Sequence, residues 1–164
     1  MIKAAFEKLK KLPLGEWILI ALMLITVLSF FIQSALPPEV SSAESDAVSD
    51  AIEPVIPSDT EVGEVVHENI RKIGHFVEFA ILGIEAAVFL VFYTKSRAAD
   101  FLGCTSSALC IGLLDESVQM FSGRGPAVSD VWLDFSGFAV FFAITYSVIF
   151  LFSRIWKKRT GKVD

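Results

Sequence analysis

The chain has 164 residues, 54% of them apolar, with a mean hydropathy of +0.61 and a formal net charge of -5. Four apolar runs are long enough to cross a hydrocarbon core that needs about 20 helical residues, which excludes an ordinary soluble domain and makes a lipid bilayer the first expected partner. The basic residues cluster beside those runs, so no nucleic-acid partner is expected.

In lipid every backbone polar group must be paired within the chain, so runs of this length must be helices. The expected fold is all-α and polytopic, with spans at Trp17 to Leu36, Ile73 to Tyr93, Phe101 to Phe121 and Val131 to Phe152. They form one four-helix membrane domain over 17–153, between a basic segment at 1–16 and a basic tail at 154–164.

Residues 1–16 read as a topogenic flank. Lys3, Lys8, Lys10 and Lys11 precede the first span, Lys95 and Arg97 separate the second and third, and Arg154, Lys157, Lys158, Arg159 and Lys162 follow the fourth. By the positive-inside rule these segments are cytoplasmic, with both termini inside and the other two loops outside.

The first outer loop, 37–69, carries nine carboxylates from Glu39 to Glu68 without a Lys or Arg. Pro37 and Pro38 end the first span, and Ser41 with Glu44 reads as a capping box. Ala43, Ala47, Val48, Ala51, Ile52 and Val55 recur at helical spacing, so a short amphipathic helix is expected here, closed by Pro54 and Pro57.

On the second span Arg71, His75 and Glu78 follow at steps of four and three, which places them on one helix face, with Glu85 deeper on the same line. Cys104 and Cys110 share the third span and point to different faces, so they are read as small buried residues with no mutual disulfide. The outer end of that span carries Asp115, Glu116 and Gln119. A turn from Ser122 to Ala127 holds Arg124 between Gly123 and Gly125, and Ser129 and Asp130 open the fourth span ahead of Asp134.

With about 1.5 Å of rise per residue, these groups fall at one depth, a little under the outer surface. Ionisable groups in a membrane are costly and mark a site by default. The alternative is a packing layer in which Arg71, Lys72 and Arg124 neutralise some of the carboxylates. The catalytic candidates are His75, Glu78, Asp115, Glu116 and Gln119, as acid, base or their supports. The binding candidates are Lys72, Arg124, Asp130 and Asp134; among them Arg124, beside the free backbone donors at the start of the fourth span, suits an anion such as a lipid phosphate. No metal or other cofactor is expected, because one histidine has no second at ligand spacing and no Cys lies nearby.

The segments Lys72-x-x-His75-Phe76-x-Glu78-Phe79-x-x-Leu82-Gly83, Asp115-Glu116-x-x-Gln119-x-Phe121 with Arg124, and Asp130-x-x-x-Asp134-x-x-Gly137 together resemble the VanZ-like family of bacterial membrane proteins. Phe31-Ile32-Gln33-Ser34 and the serines at 41 and 45 extend the resemblance over most of the chain. Asp134 stands where the family usually has Asn, and Phe141 where a second glycine is usual. The resemblance implies a cell-envelope protein with a role in low-level resistance to teicoplanin-type lipoglycopeptides. Two functions are therefore expected: binding of a lipid-linked envelope precursor or lipoglycopeptide at the polar layer, or an intramembrane hydrolase or transferase acting on an envelope lipid through His75 and Glu116.

Overall fold

The computed structural model describes residues 13–94, 97–123, 125 and 127–160. The expectations placed on the N-terminal lysines, on Lys95, on Arg124 and on Lys162 lie outside the described residues. Six helices follow one another: α1 (Leu14–Ala35), α2 (Pro38–Ile52), α3 (Glu61–Glu68), α4 (Ile70–Tyr93), α5 (Arg97–Phe121) and α6 (Val128–Thr160). Among the described residues there is no strand. Four of the helices, α1, α4, α5 and α6, are long and apolar enough to cross a membrane.

The helices begin three or four residues before the expected spans, because hydropathy locates the apolar stretch while the backbone turn begins at its own cap. Pro13 precedes α1 in an extended conformation, and α4 starts directly after Asn69. At the other extreme α6 runs on through Arg154 to Thr160. Its 33 residues span about 50 Å, well beyond a hydrocarbon core of about 30 Å, because Lys and Arg are good helix formers and charge alone does not end a helix.

Of the two connections at the Ala35 end of the bundle, the one between α1 and α4 carries nine carboxylates, and this end is called the acidic end below. Pro37 and Pro38 stop α1 as expected, but Pro38 also starts α2 at its first turn, where a missing N–H costs nothing. Ser41 therefore lies inside α2, buried, and does not cap it. The sequence reading missed α3. Its signal is Thr60, whose hydroxyl accepts a hydrogen bond from the Gly63 N–H at 3.0 Å, with Glu61 and Glu64 in the first turn.

In lipid the helices gain nothing by hiding apolar surface from one another, so close backbone approach and shape decide the packing. The core follows α4, where Phe79, Leu82, Ala86, Ala87 and Leu90 meet Phe30 of α1, Ala108 of α5, and Phe138 and Phe142 of α6. Phe30 and Phe79 stack with centroids 4.8 Å apart. The tightest contact is between α4 and α6: a Cβ at Gly83 would run into the Phe138 carbonyl, and one at Gly137 into the Phe76 carbonyl. Phe141 sets its ring edge-on to Phe76 at 6.3 Å. Large side chains such as Ile25, Leu28, Ile32 and Leu102 point outward, as lipid-facing residues do.

Gly83→Ala is expected to lower stability by about 1 to 3 kcal/mol, because α4 must move off α6. Gly74→Ala, with nothing within 4 Å of its Cβ, is the matched control. Thermal unfolding of the detergent-solubilised chain checks this, and equal melting of the two variants contradicts it.

Candidate functional site

All four long helices contribute to one polar layer at the acidic end. Asp115 of α5 is its centre, with 0% exposure. Its Oδ1 accepts a hydrogen bond from the Ser34 hydroxyl of α1 at 2.6 Å, and its Oδ2 accepts one from Gln119 Nε2, one turn on, at 2.9 Å. His75 of α4 brings Nδ1 to 3.8 Å from Asp115 Oδ2 and equally to 3.8 Å from Glu78 Oε2. The other Glu78 oxygen accepts from Gln33 Nε2 at 2.7 Å, so α1 reaches the layer through two successive residues.

Glu116 sits beside Asp115 with 6% exposure. Its Oε2 accepts the backbone N–H of Ala127 at 2.8 Å, and Gln119 Nε2 reaches its Oε1 at 3.3 Å. The carboxylate thus ties the end of α5 to the residue that precedes α6. The turn between them is pinned from another side by the Ser122 hydroxyl, which donates to the Ser34 carbonyl at 2.9 Å, and Gly123 supplies the positive φ of 85° that the turn needs. Contrary to expectation Ser129 does not cap α6. The helix already begins at Val128, and the Ser129 hydroxyl turns instead to Asp130 Oδ1 at 3.1 Å.

Asp134 of α6 is 2% exposed and lies beside the same cluster: one ligand-capable atom from each of His75, Asp115 and Asp134 falls within 4.8 Å of the others. Among the described residues no donor hydrogen-bonds the Asp134 carboxylate. In the sequence a histidine with carboxylates is a weak divalent-metal signal, because no second histidine stands at ligand spacing; the structure gathers such a set from three helices.

Arg71 and Lys72 are exposed and form no ion pair within 4.0 Å with a carboxylate among the described residues, but both border the carboxylates of the layer and Arg71 stands near enough to Glu116 to offset part of its charge. They stand at the rim in the first turn of α4, where cations oppose the helix dipole. Two spaces open from that rim. One, bounded by Lys72, His75, Glu116, Asp130 and Asp134, holds only ≈ 10 Å³, room for about one water or ion. The other lies between α2 and α4, bounded by Gln33, Ser41, Ala47, Arg71 and His75, and holds ≈ 430 Å³, within the range of small-molecule sites. Of the proposed binding residues, then, Lys72, Asp130 and Asp134 surround the narrow space, and Arg124 lies outside the described residues.

The sequence reading named the carboxylates but not Ser34 and Gln33 as parts of the layer. Their signal is a polar pair at the end of an otherwise apolar run. Glu85, assigned no role, accepts a hydrogen bond from the Thr26 hydroxyl at 3.1 Å deeper in the bundle.

The arrangement of all these residues falls within one family match. The model of the VanZ/LLP1 family fits residues 17–153. The chain belongs to the VanZ/LLP1 family. As a VanZ/LLP1 protein with four apolar helices of spanning length, it is a multi-pass membrane protein. No curated protein and no solved structure matches it.

Removing the Ser34 hydroxyl leaves the buried Asp115 with one donor fewer. Ser34→Ala is expected to cost about 1 to 3 kcal/mol of stability, and Ser42→Ala, on an exposed position of α2, almost nothing. Chemical unfolding in mixed micelles reads the difference, and indistinguishable midpoints would contradict the geometry.

Proposed function

We propose that this VanZ/LLP1 protein holds the anionic headgroup of a lipid-anchored ligand, an envelope precursor or a teicoplanin-type lipoglycopeptide, in the ≈ 430 Å³ cleft between α2 and α4 at the outer face of a bacterial plasma membrane. The observation that carries the reading is the position of Arg71. Its guanidinium stands exposed where this cleft meets the narrow carboxylate-lined space, near Glu116 but in no ion pair within 4.0 Å among the described residues, and against the dipole of its own helix. A planar fork of donors left open in this way suits a phosphate or carboxylate. On this reading the cleft lies at the membrane surface, and the ligand's acyl tail remains in the bilayer. The orientation is supported by the basic residues at the opposite end, which the positive-inside rule assigns to the cytoplasm.

Native mass spectrometry of protein released from nanodiscs of mixed phosphatidylglycerol and phosphatidylcholine tests this. The wild type is expected to retain the anionic lipid. Arg71→Ala should weaken that retention about 10- to 100-fold, the worth of one charge-assisted contact. Ala47→Trp, which fills the cleft without altering charge, should do the same. Equal retention by all three proteins, or no preference for the anionic lipid, overturns the reading. In cells, expression of the wild type should raise the teicoplanin concentration tolerated, and Arg71→Ala should not.

A second reading is an intramembrane hydrolase or transferase acting on an envelope lipid, with His75 and Glu116 as acid and base. It is favoured by the approach of two carboxylates to one imidazole nitrogen. It requires a lipid species that accumulates when Glu116→Gln replaces the wild type, and an unchanged lipid profile removes it.

A further inference from the structure

We propose that His75, Asp115 and Asp134 bind one divalent transition cation, Mn²⁺ or Zn²⁺, at the floor of the polar layer. This goes beyond the headgroup reading: the two spaces share Arg71 and His75 at their common edge, but the cation would lie on the Asp115 and Asp134 side of it. The first ground is geometric: three potential ligand atoms from three helices lie within 4.8 Å of one another. The His75 Nδ1 to Asp115 Oδ2 separation of 3.8 Å is too long for a hydrogen bond, yet close to the ~3 to 3.5 Å that separates two ligands on an ion with bonds of about 2.0 to 2.2 Å.

The second ground is Asp134 itself. It is 2% exposed, it faces His75 and Asp115, and no donor among the described residues reaches it, although Asp115 has two. A carboxylate buried beside another carboxylate without a donor is expensive, and a cation is the partner that removes the cost for both. A further atom of the same kind stands close by: Glu78 Oε2, shut away from solvent and hydrogen-bonded to nothing among the described residues, is 3.8 Å from His75 Nδ1. The free space in front of the cluster, ≈ 10 Å³, suits an ion or a water and excludes an organic group.

Donor chemistry sets the class of ion. One imidazole with two or three carboxylates suits Mn²⁺ or Zn²⁺, and the absence of sulfur among these donors disfavours Cu(I). Ser34 and Gln119, which hold both oxygens of Asp115, would orient that ligand from the outer shell.

The full chain, purified in detergent and stripped with EDTA, should take up one Mn²⁺ saturably, read as loss of the free-ion EPR signal, and Zn²⁺ should compete. Asp134→Asn should lower the affinity at least about 100-fold, Ser34→Ala about 10-fold, and Asp46→Asn on exposed α2 not at all. The bound Mn²⁺ should show a ¹⁴N coupling from imidazole that disappears in His75→Gln. Absence of saturable uptake of either ion by the wild type overturns the proposal, whatever the variants do, and so does equal affinity in a folded Asp134→Asn protein. Lipid retention measured on the stripped protein reports on the headgroup cleft separately, so either reading can fail alone.

Discussion

The structure depends on the burial of Asp115. A carboxylate with no exposure, near the end of a helix that otherwise faces lipid and neighbouring helices, is tolerable only if other chain segments bring donors to it. α1 supplies the Ser34 hydroxyl, α5 itself supplies Gln119, and α4 sets His75 alongside. The Ser34 hydrogen bond fixes α1 against α5 in both rotation and depth. An apolar contact would tolerate sliding by a residue, whereas a 2.6 Å hydrogen bond between two buried groups does not.

That polar constraint works together with a steric one. Gly83 and Gly137 let the backbones of α4 and α6 touch, so the two helices that carry His75, Glu78 and Asp134 cannot drift apart. Glu116 then joins the end of α5 to the entry of α6 through the Ala127 N–H. The layer is rigid because packing below it and hydrogen bonds within it specify the same arrangement. At its rim the exposed Arg71 and Lys72 give an acidic interior a basic mouth, an order of charges that favours first an anion at the surface and then a cation beneath it.

Much of this was legible in the sequence, for identifiable reasons. Four apolar runs can only be helices in lipid, and counting residues from their ends put His75, Glu78, Asp115, Glu116, Gln119, Asp130 and Asp134 at a common depth. Spacing along a helix also put Arg71, His75 and Glu78 on one face. What could not be read was rotation of one helix against another. Ser34 and Gln33 are unremarkable at the end of α1 until its azimuth is known, and whether Arg71 and Lys72 pair directly with the carboxylates or border them from the rim depends on the same rotation. A histidine with carboxylates as a metal set is readable in the sequence, but not which carboxylates face His75, since ligand spacing within one helix carries no information about three. In the loop, Pro38 was read as a stop when it also starts α2, and Thr60 went unnoticed because the segment it caps is short and weakly apolar.

The account stands on α1 and α5 meeting at Ser34 and Asp115. Cysteines placed at those two positions, in a chain with Cys104→Ser and Cys110→Ser, should form an intramolecular disulfide rapidly under mild oxidation in the membrane. Pairing Ser34→Cys with Leu114→Cys, whose side chain is 55% exposed and turned away, should not. Equal cross-linking of the two pairs, or none in the first, would contradict the arrangement.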